Sequence, residues 1–253
     1  MIRKFIALLL LSVTLCGCGN PTPAPTEIPT ETPTAASIET STVAPTEPPS
    51  LVIPGLTADD VVRYFSEVCL DAEIIHSGDP SALQKWAMPI SYAIYGDPTG
   101  EDWDTLTGFV TWLNGVEGFP GIAPAENAAT ANLRIHFCDK QRMLDLMGDQ
   151  FYGMDGAVTF WYEEDAIYDA IICIRTDLEQ NLRNSVILEE LYNSLGPIQD
   201  TALRPDSIIY ADYSEPQALT AVDELILQLL YHPHITCGMD ASQCEAVIRE
   251  LYR

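Results

Sequence analysis

Two adjacent carboxylates and a nearby amide are the residues of this 253-residue chain whose spacing best suits shared chemistry. Glu189 and Glu190 precede Asn193 in residues 186–196, where the apolar residues recur at helical spacing. Residues four apart share one helix face, so Glu189 and Asn193 would present their oxygens side by side, with Glu190 adjacent in the chain. Carboxylate and amide oxygens are hard ligands, which suit Ca²⁺ or Mg²⁺ better than zinc.

The same segment resembles the active-site helix of the zincin metallopeptidases, in particular the metzincin pattern HExxHxxGxxH. The template positions of first ligand, general base, second ligand, turn glycine and third ligand are held by Glu189, Glu190, Asn193, Gly196 and Gln199. Asp200 stands beside the last of these. Because the Glu and the Gly are kept but neither zinc-binding His is, the resemblance implies a zincin-like fold whose zinc chemistry has been lost.

Three interpretations of this helix are open. The two glutamates could be solvated on its outer face, opposite the apolar stripe that contains Leu191. Alternatively, the helix could border a cleft that still binds after its chemistry was lost. In the third, a hydrolase would use Glu190 as base and Glu189, Asn193 and Asp200 as ligands. Between the two functional interpretations, the missing histidines favour binding.

A second stretch, residues 207–210, resembles the Met-turn of the metzincins. It is followed by a helix that begins with Thr220 and Asp223 and ends in a Leu-Tyr pair, as the resemblance implies. The expected methionine is replaced by Ile208 or Ile209. This departure again favours a retained scaffold over a retained metal site.

From about residue 57 onward, the chain is also similar to an uncharacterised family of bacterial lipoproteins. The shared pattern is a Glu-Glu-Leu helix ending in Leu-Gly, then an Asp, then a Leu-Tyr-x-Pro…Gly-Met segment. These positions are Glu189, Glu190, Leu191, Leu195, Gly196, Asp200, Leu230, Tyr231, Pro233, Gly238 and Met239. This resemblance implies a fold and no particular activity.

Other chemistry is disfavoured. His232 and His234 lack a third ligand at a recognisable spacing, and His76 and His136 are best explained as surface or capping residues. There is no Gly-x-Ser-x-Gly nucleophile elbow and no glycine-rich phosphate loop. We therefore expect no zinc, no nucleotide and no other cofactor, apart from a hard divalent cation in the hydrolase alternative.

Five of the seven cysteines lie in the folded part, and export would permit disulfides. Cys237 and Cys244 are the expected bridge, because a loop residue could reach the first turn of the last helix. The zincin order places the strands of Cys138 and Cys173 side by side, but parallel neighbours seldom have the geometry of a bridge. Cys69 borders the core face of its helix and is expected to be buried as a small apolar residue.

The N-terminus predicts an exported lipoprotein. Arg3 and Lys4 precede an apolar run of roughly half the ~20 residues that a membrane-spanning helix needs. Residues 15–18, Leu-Cys-Gly-Cys, resemble a bacterial lipobox, which implies removal of residues 1–17 and acylation of Cys18. Two acyl chains hold a protein stably, so membrane lipid is the expected partner of Cys18 and the location is extracytoplasmic.

Composition excludes two classes of partner. Twelve Lys and Arg against 37 Asp and Glu leave a net charge of −25, which repels nucleic acid and rules out docking on anionic lipid through a basic patch. Residues 18–54 are rich in Pro and Thr and lack aromatic and basic residues. Such a segment buries too little apolar surface to fold, so it predicts a disordered, extended stalk.

Residues 55–253 alternate helix-period and strand-period segments. Strands are predicted at 90–95, 133–137, 157–162 and 167–175, and helices at 57–75, 106–113 and 182–195, with two more beginning at Thr220 and Asp240. The predicted class is α+β: a zincin-like mixed sheet covered by helices, then a mostly helical C-terminal portion. The expected function is a binding or scaffold role at the cell envelope, with an extended peptide or envelope component held at an edge strand such as residues 157–162.

Overall fold

The computed structural model describes residues 51–70, 82–212 and 214–253. The predicted signal peptide, the predicted acylation site Cys18, His76 and most of the predicted stalk lie outside the described residues. Leu51 and Ile53, which the sequence assigns to the stalk, pack against the core, and the Ile53 N–H donates to Tyr252 Oη at 2.9 Å. The folded unit therefore includes residues that composition alone assigns to the linker.

The described residues form six helices, six strands and two short 3₁₀ turns. In chain order these are α1 (Ala58–Leu70), β1 (Lys85–Trp86), β2 (Ile90–Tyr95), α2 (Gly100–Leu113), β3 (Ile122–Pro124), the 3₁₀ turn Ala128–Thr130, β4 (Leu133–Cys138), α3 (Lys140–Met147), the 3₁₀ turn Asp149–Phe151, β5 (Gly156–Glu163), β6 (Ala166–Arg175), α4 (Gln180–Asn193), α5 (Ala221–Tyr231) and α6 (Ala241–Leu251). None of these helices is both long enough and apolar enough to cross a membrane.

The strands form one mixed sheet, as predicted, and most of its strand pairs are parallel. β6 is its central member: it pairs in parallel with β4, with β1 at its first two residues, and in antiparallel fashion with β5. β2 lies between β3 and β4, and all three run parallel. Within the described residues β5 pairs with β6 alone, so it is an edge strand.

Helices cover the sheet, and their caps follow the sequence signals. α4 packs on β5, β6 and α2, while α1 packs against α6. Capping boxes begin α2, α5 and α6, in which the side chains of Thr99, Thr220 and Asp240 each accept a hydrogen bond from the backbone N–H three residues later. The described part of α1 ends at Leu70, whereas the sequence predicts a helix to residue 75; residues 71–81 lie outside the described residues.

Candidate functional site

The motif helix α4 is buried along its C-terminal half. Glu189, Glu190 and Asn193 are only 4%, 5% and 2% exposed. The expectation of solvated glutamates on an outer face is therefore wrong. A helical wheel assumes that one side of a helix faces water, but α4 contacts β5 and β6 as well as α2.

Glu190 lies against the first residue of the edge strand. A Cβ placed on Gly156 would lie 2.8 Å from Glu190 Oε1 and 2.4 Å from Val186 Cγ1, so only glycine leaves room for this carboxylate. A hydrogen bond with Cys138, burial, and the nearby charges of Cys138 and Glu190 raise the pKa of Cys173. Glu190 therefore belongs to the interior between α4 and β5 rather than to a solvent-filled cleft.

Asn193 carries a buried atom of special interest. Its Oδ1 is the one buried side-chain nitrogen or oxygen that has no hydrogen-bond partner within the described part of the chain. Leaving such an acceptor unsatisfied costs about 1–3 kcal/mol. Asn193 lies four residues after Glu189 on the same helix, so these two oxygen ligands predicted from the sequence share a helix face.

The remaining members of the predicted ligand set, Gln199 and Asp200, lie beyond the C-terminal end of α4. Residues 198–200 follow the end of α4, and the Gln199 N–H donates to Val68 O at 3.3 Å. Across the described ranges, no three His, Cys, Asp or Glu side chains are placed to share a metal ion. Glu189, Glu190 and Asp200 therefore do not form a three-carboxylate centre.

Gly196 follows the end of the motif helix and turns the chain. Its φ is +130°, and a Cβ there would lie 2.5 Å from Gln84 O. The last carbonyls of the helix are satisfied by side chains: Trp86 Nε1 donates to Ser194 O, and Tyr231 Oη donates to Leu195 O, each at 2.8 Å. The glycine thus lets the chain turn closely beneath the segment that carries β1.

The turn that resembles a Met-turn is a buried structural element. Tyr64 Oη donates to Ser207 Oγ at 2.8 Å, and that hydroxyl donates to Asp223 Oδ1 at 2.6 Å. Burial raises the pKa of Asp223, although hydrogen bonds from Ser207 and Thr220 oppose this effect. Both isoleucines of the turn are at most 2% exposed. The network ties α1 and α5 to the turn.

The five described cysteines are free thiols, so the expected Cys237–Cys244 bridge is not formed. Both sulfurs lie near Lys85, whose pKa is lowered by burial, an effect that the two thiols oppose. Cys237 Sγ donates to Lys85 O at 3.6 Å, whereas Cys244 is fully buried. Burial, and to a smaller extent the nearby Cys244, raise the pKa of Cys69. The prediction that Cys69 is a buried apolar residue is confirmed, since it is 4% exposed.

The histidines make local contacts. The rings of His136 and Tyr95 stack with centroids 4.6 Å apart, and burial lowers the pKa of His136. The rings of His232 and His234 meet edge to face at 5.0 Å. These contacts give both segments a packing role.

A buried ion pair escaped the sequence analysis. Arg183, in the first turns of α4, donates from Nε to Asp102 Oδ1 at 2.9 Å, and the two residues are 7% and 1% exposed. The only sequence signal was the pair Thr99 and Asp102, which reads as a helix cap near the surface. Burial by α4 converts that cap into a link between α2 and α4.

The edge strand is accessible at one end only. Residues 157–160 of β5 are at most 9% exposed, whereas Trp161 and Tyr162 are half-buried and Glu163 is exposed. A separate cleft of about 100 Å³ lies between α1 and α5, lined in part by Arg63, Tyr64 and Arg204. That volume is below the roughly 300 Å³ at which small-molecule pockets begin.

These features define a mixed α/β domain with a mostly parallel sheet and a buried acidic helix after its central strand. The chain belongs to the family described as "Protein of unknown function (DUF2927)", which matches residues 58–250. The match runs from the first residue of α1 to the last turn of α6, so the prediction of an uncharacterised family is confirmed. A comparison with curated proteins found no match.

Proposed function

We propose that this chain is an extracytoplasmic lipoprotein, held at the membrane by acylated Cys18, whose zincin-like domain binds an extended peptide without cleaving it. The burial of Glu190 against Gly156 supports the claim that the peptide is bound but not cleaved. A general base must come within hydrogen-bonding reach of the proton that it removes from a bound substrate. A carboxylate enclosed between α4 and β5 meets that requirement only if one of these elements moves.

The arrangement around α4 supports a zincin-like scaffold. A central buried strand leads into the motif helix, an antiparallel edge strand lies on the other side of that strand, and the Ser207 turn packs beside α5. The resemblance implies a mixed sheet with an edge strand, and a Met-turn-like segment followed by a capped helix. The replacement of both zinc-binding histidines and the enclosure of Glu190 favour a scaffold that has kept its fold and lost zinc-dependent catalysis.

The exposed end of β5 is the proposed binding surface. Trp161 and Tyr162 offer aromatic area, and Glu163 begins an acidic turn in which Glu164 and Asp165 have φ of 50° and 62°. Backbone pairing at a strand edge provides affinity without sequence specificity, and neighbouring side chains add specificity. Because this end of the strand is acidic, we assign it an extended peptide that carries Lys or Arg.

Charge reversal at the acidic turn tests this assignment. Glu163→Lys combined with Glu164→Lys is expected to weaken binding of basic extended peptides about tenfold or more at low salt, because attraction becomes repulsion. Fluorescence anisotropy of a panel of labelled unstructured peptides, with the full chain in detergent, measures the effect. Asp145→Lys combined with Asp149→Lys makes the same charge change at exposed positions near the opposite end of the sheet and should leave binding unchanged.

Two outcomes would contradict the proposal. Equal weakening by both double variants would show that overall charge, not the turn, attracts the peptide. Peptide cleavage that disappears in Glu190→Gln, together with stoichiometric metal in the purified protein, would favour the hydrolase alternative with Glu189, Asn193 and Asp200 as ligands.

The membrane anchor has its own test. Cys18→Ser is expected to move the protein from the membrane fraction to the soluble fraction of a bacterial host, because two acyl chains are lost. Cys16→Ser is the matched control and should leave both fatty-acid labelling and membrane association intact. Membrane retention of unlabelled Cys18→Ser would refute lipid anchoring at this residue.

A further inference from the structure

A second, smaller core cluster lies where β4 and β6 end, and it is rich in sulfur. Its buried members are Cys138, Met143, Phe151, Met154, Ala157 and Cys173. Met147 packs against it from a partly buried position, so the cluster contains three of the six methionines in the chain. Two thiols and three thioethers thus meet in a region separate from the main core.

The sheet register places the two thiols together. β4 and β6 are parallel neighbours in which His136 is opposite Cys173 and Cys138 is opposite Arg175. Cys138 and Cys173 are therefore diagonal neighbours on one face of the sheet, since residues two apart on a strand share a face. The two thiols also lie close enough to shift each other's pKa, which is lowered for Cys138 and raised for Cys173.

This arrangement suits a shared metal ion. Two thiolates that bind one tetrahedral ion with metal–sulfur bonds of about 2.3 Å lie ~3.8 Å apart. A disulfide needs the two sulfurs at about 2.05 Å, which is a much closer approach than a shared ion requires.

We propose that Cys138 and Cys173, with the thioethers of Met143 and Met154, form a binding site for Cu(I). Thiolate and thioether are soft ligands, which select Cu(I) over the hard cations that suit Glu189 and Asn193. The site is enclosed: Met143 and Cys173 are fully buried, and Met154 is 3% exposed. Cys138, at the end of β4, is 9% exposed and gives the ion its point of entry.

The binding step is a ligand exchange that leaves every oxidation state unchanged. Cu(I) replaces the two thiol protons, which pass to solvent, and a complex with a net charge of −1 remains. Arg142 lies close enough to both sulfurs to favour their negative charge, whereas Asp139 beside Cys138 and Glu190 beside Cys173 oppose it. This site is independent of peptide binding, because its members lie at the opposite end of β5 from the acidic turn.

Competitive titration tests the proposal. The full chain, reduced and kept anaerobic, is titrated with Cu(I) against a chromophoric Cu(I) chelator. We expect one tightly held ion per chain, and loss of that ion in Cys138→Ser combined with Cys173→Ser. Cys69→Ala combined with Cys244→Ala, which alters another pair of neighbouring buried thiols, should retain the ion.

A second variant keeps the test decisive if the serine variant does not fold. Met143→Leu combined with Met154→Leu conserves core volume, so the fold should survive, and we expect Cu(I) affinity to fall about tenfold or more. A wild-type chain that holds no Cu(I) against the chelator would overturn the proposal. So would a folded serine variant that binds as tightly as wild type, or unchanged affinity in the leucine variant.

Discussion

Replacing Arg183 with methionine is expected to lower the free energy of unfolding by about 3–5 kcal/mol. Arg183 and Asp102 form an ion pair in which both side chains are buried, and removal of one partner leaves the other charge uncompensated. Arg183 also donates to Thr176 O at 3.0 Å and to Leu178 O at 3.2 Å, so the segment that leads from β6 into α4 loses its hydrogen bonds too. Urea denaturation followed by circular dichroism measures the change.

The control is an ion pair of similar length nearer the surface. Arg134 lies 2.7 Å from Asp169, and its side chain is 29% exposed, so Arg134→Met should cost less than about 1 kcal/mol. In the Arg183→Met background, Asp102→Asn should restore part of the lost stability, because the amide keeps its cap and carries no charge. Equal destabilisation by Arg134→Met and Arg183→Met would contradict the assigned difference in burial.

The same pair predicts the sign of a pH effect. Burial alone would raise the pKa of Asp102, but hydrogen bonds from Arg183, Thr99 and Gln180 outweigh it and hold the pKa below its ordinary value of 3.8. The stability from this carboxylate is therefore fully present above that ordinary value and is lost as the pH falls through the folded-state pKa. The Arg183→Met variant lacks the hydrogen bond that lowers the pKa of Asp102 most. The difference in the free energy of unfolding between this variant and the wild type should therefore shrink as the pH is lowered.

Gly196→Ala is expected to cost about 2–5 kcal/mol, the sum of backbone strain and steric overlap. The φ of +130° at this position is rare for residues with a side chain. The added Cβ would also lie 2.5 Å from the backbone oxygen of Gln84 and 3.2 Å from Leu230 Cδ2. Gln84 directly precedes β1, so its backbone oxygen cannot move far to make room for the added Cβ. The substitution should therefore displace the end of α4 from β1.

The matched control is the same substitution in open space. Gly108 lies exposed within α2, where nothing stands within 4 Å of an added Cβ. Gly108→Ala should therefore raise stability by about 0.5–1 kcal/mol through helix propensity. Chemical denaturation of both variants gives the comparison. If Gly196→Ala were no less stable than Gly108→Ala, the close turn beneath β1 would not be required.

The predicted elements that were confirmed rest on local signals. α5 and α6 begin where Thr220 with Asp223, and Asp240 with Gln243, form capping boxes. β4 was predicted from apolar alternation over residues 133–137 and β6 from a nearly continuous apolar run within residues 167–175, segments long enough to carry a pattern. β1 and β3, with two and three residues, were missed because so short a segment has no period, and pairing with β6 or β2 defines it.

The features of the candidate site likewise separate into those that local spacing predicts and those that depend on contacts between distant segments. Spacing alone placed Glu189 and Asn193 on one helix face and identified Gly196 as the helix end. The environment of Glu190 could not be obtained from spacing, because it depends on Gly156, 34 positions earlier in the chain, lying across the helix. The Cys138–Cys173 contact likewise depends on the pairing register of two strands.

By itself, then, the sequence determined the helix caps, the longer strands, the acidity and the order of residues along the motif helix, since each arises among residues a few positions apart. The tertiary structure alone decided that the glutamates are enclosed, that Asp102 is the partner of Arg183, and that sulfur gathers at the end of β4. Those outcomes depend on which elements pack together, and burial, which sets the energy of a charge or a thiol, is a property of the packed fold.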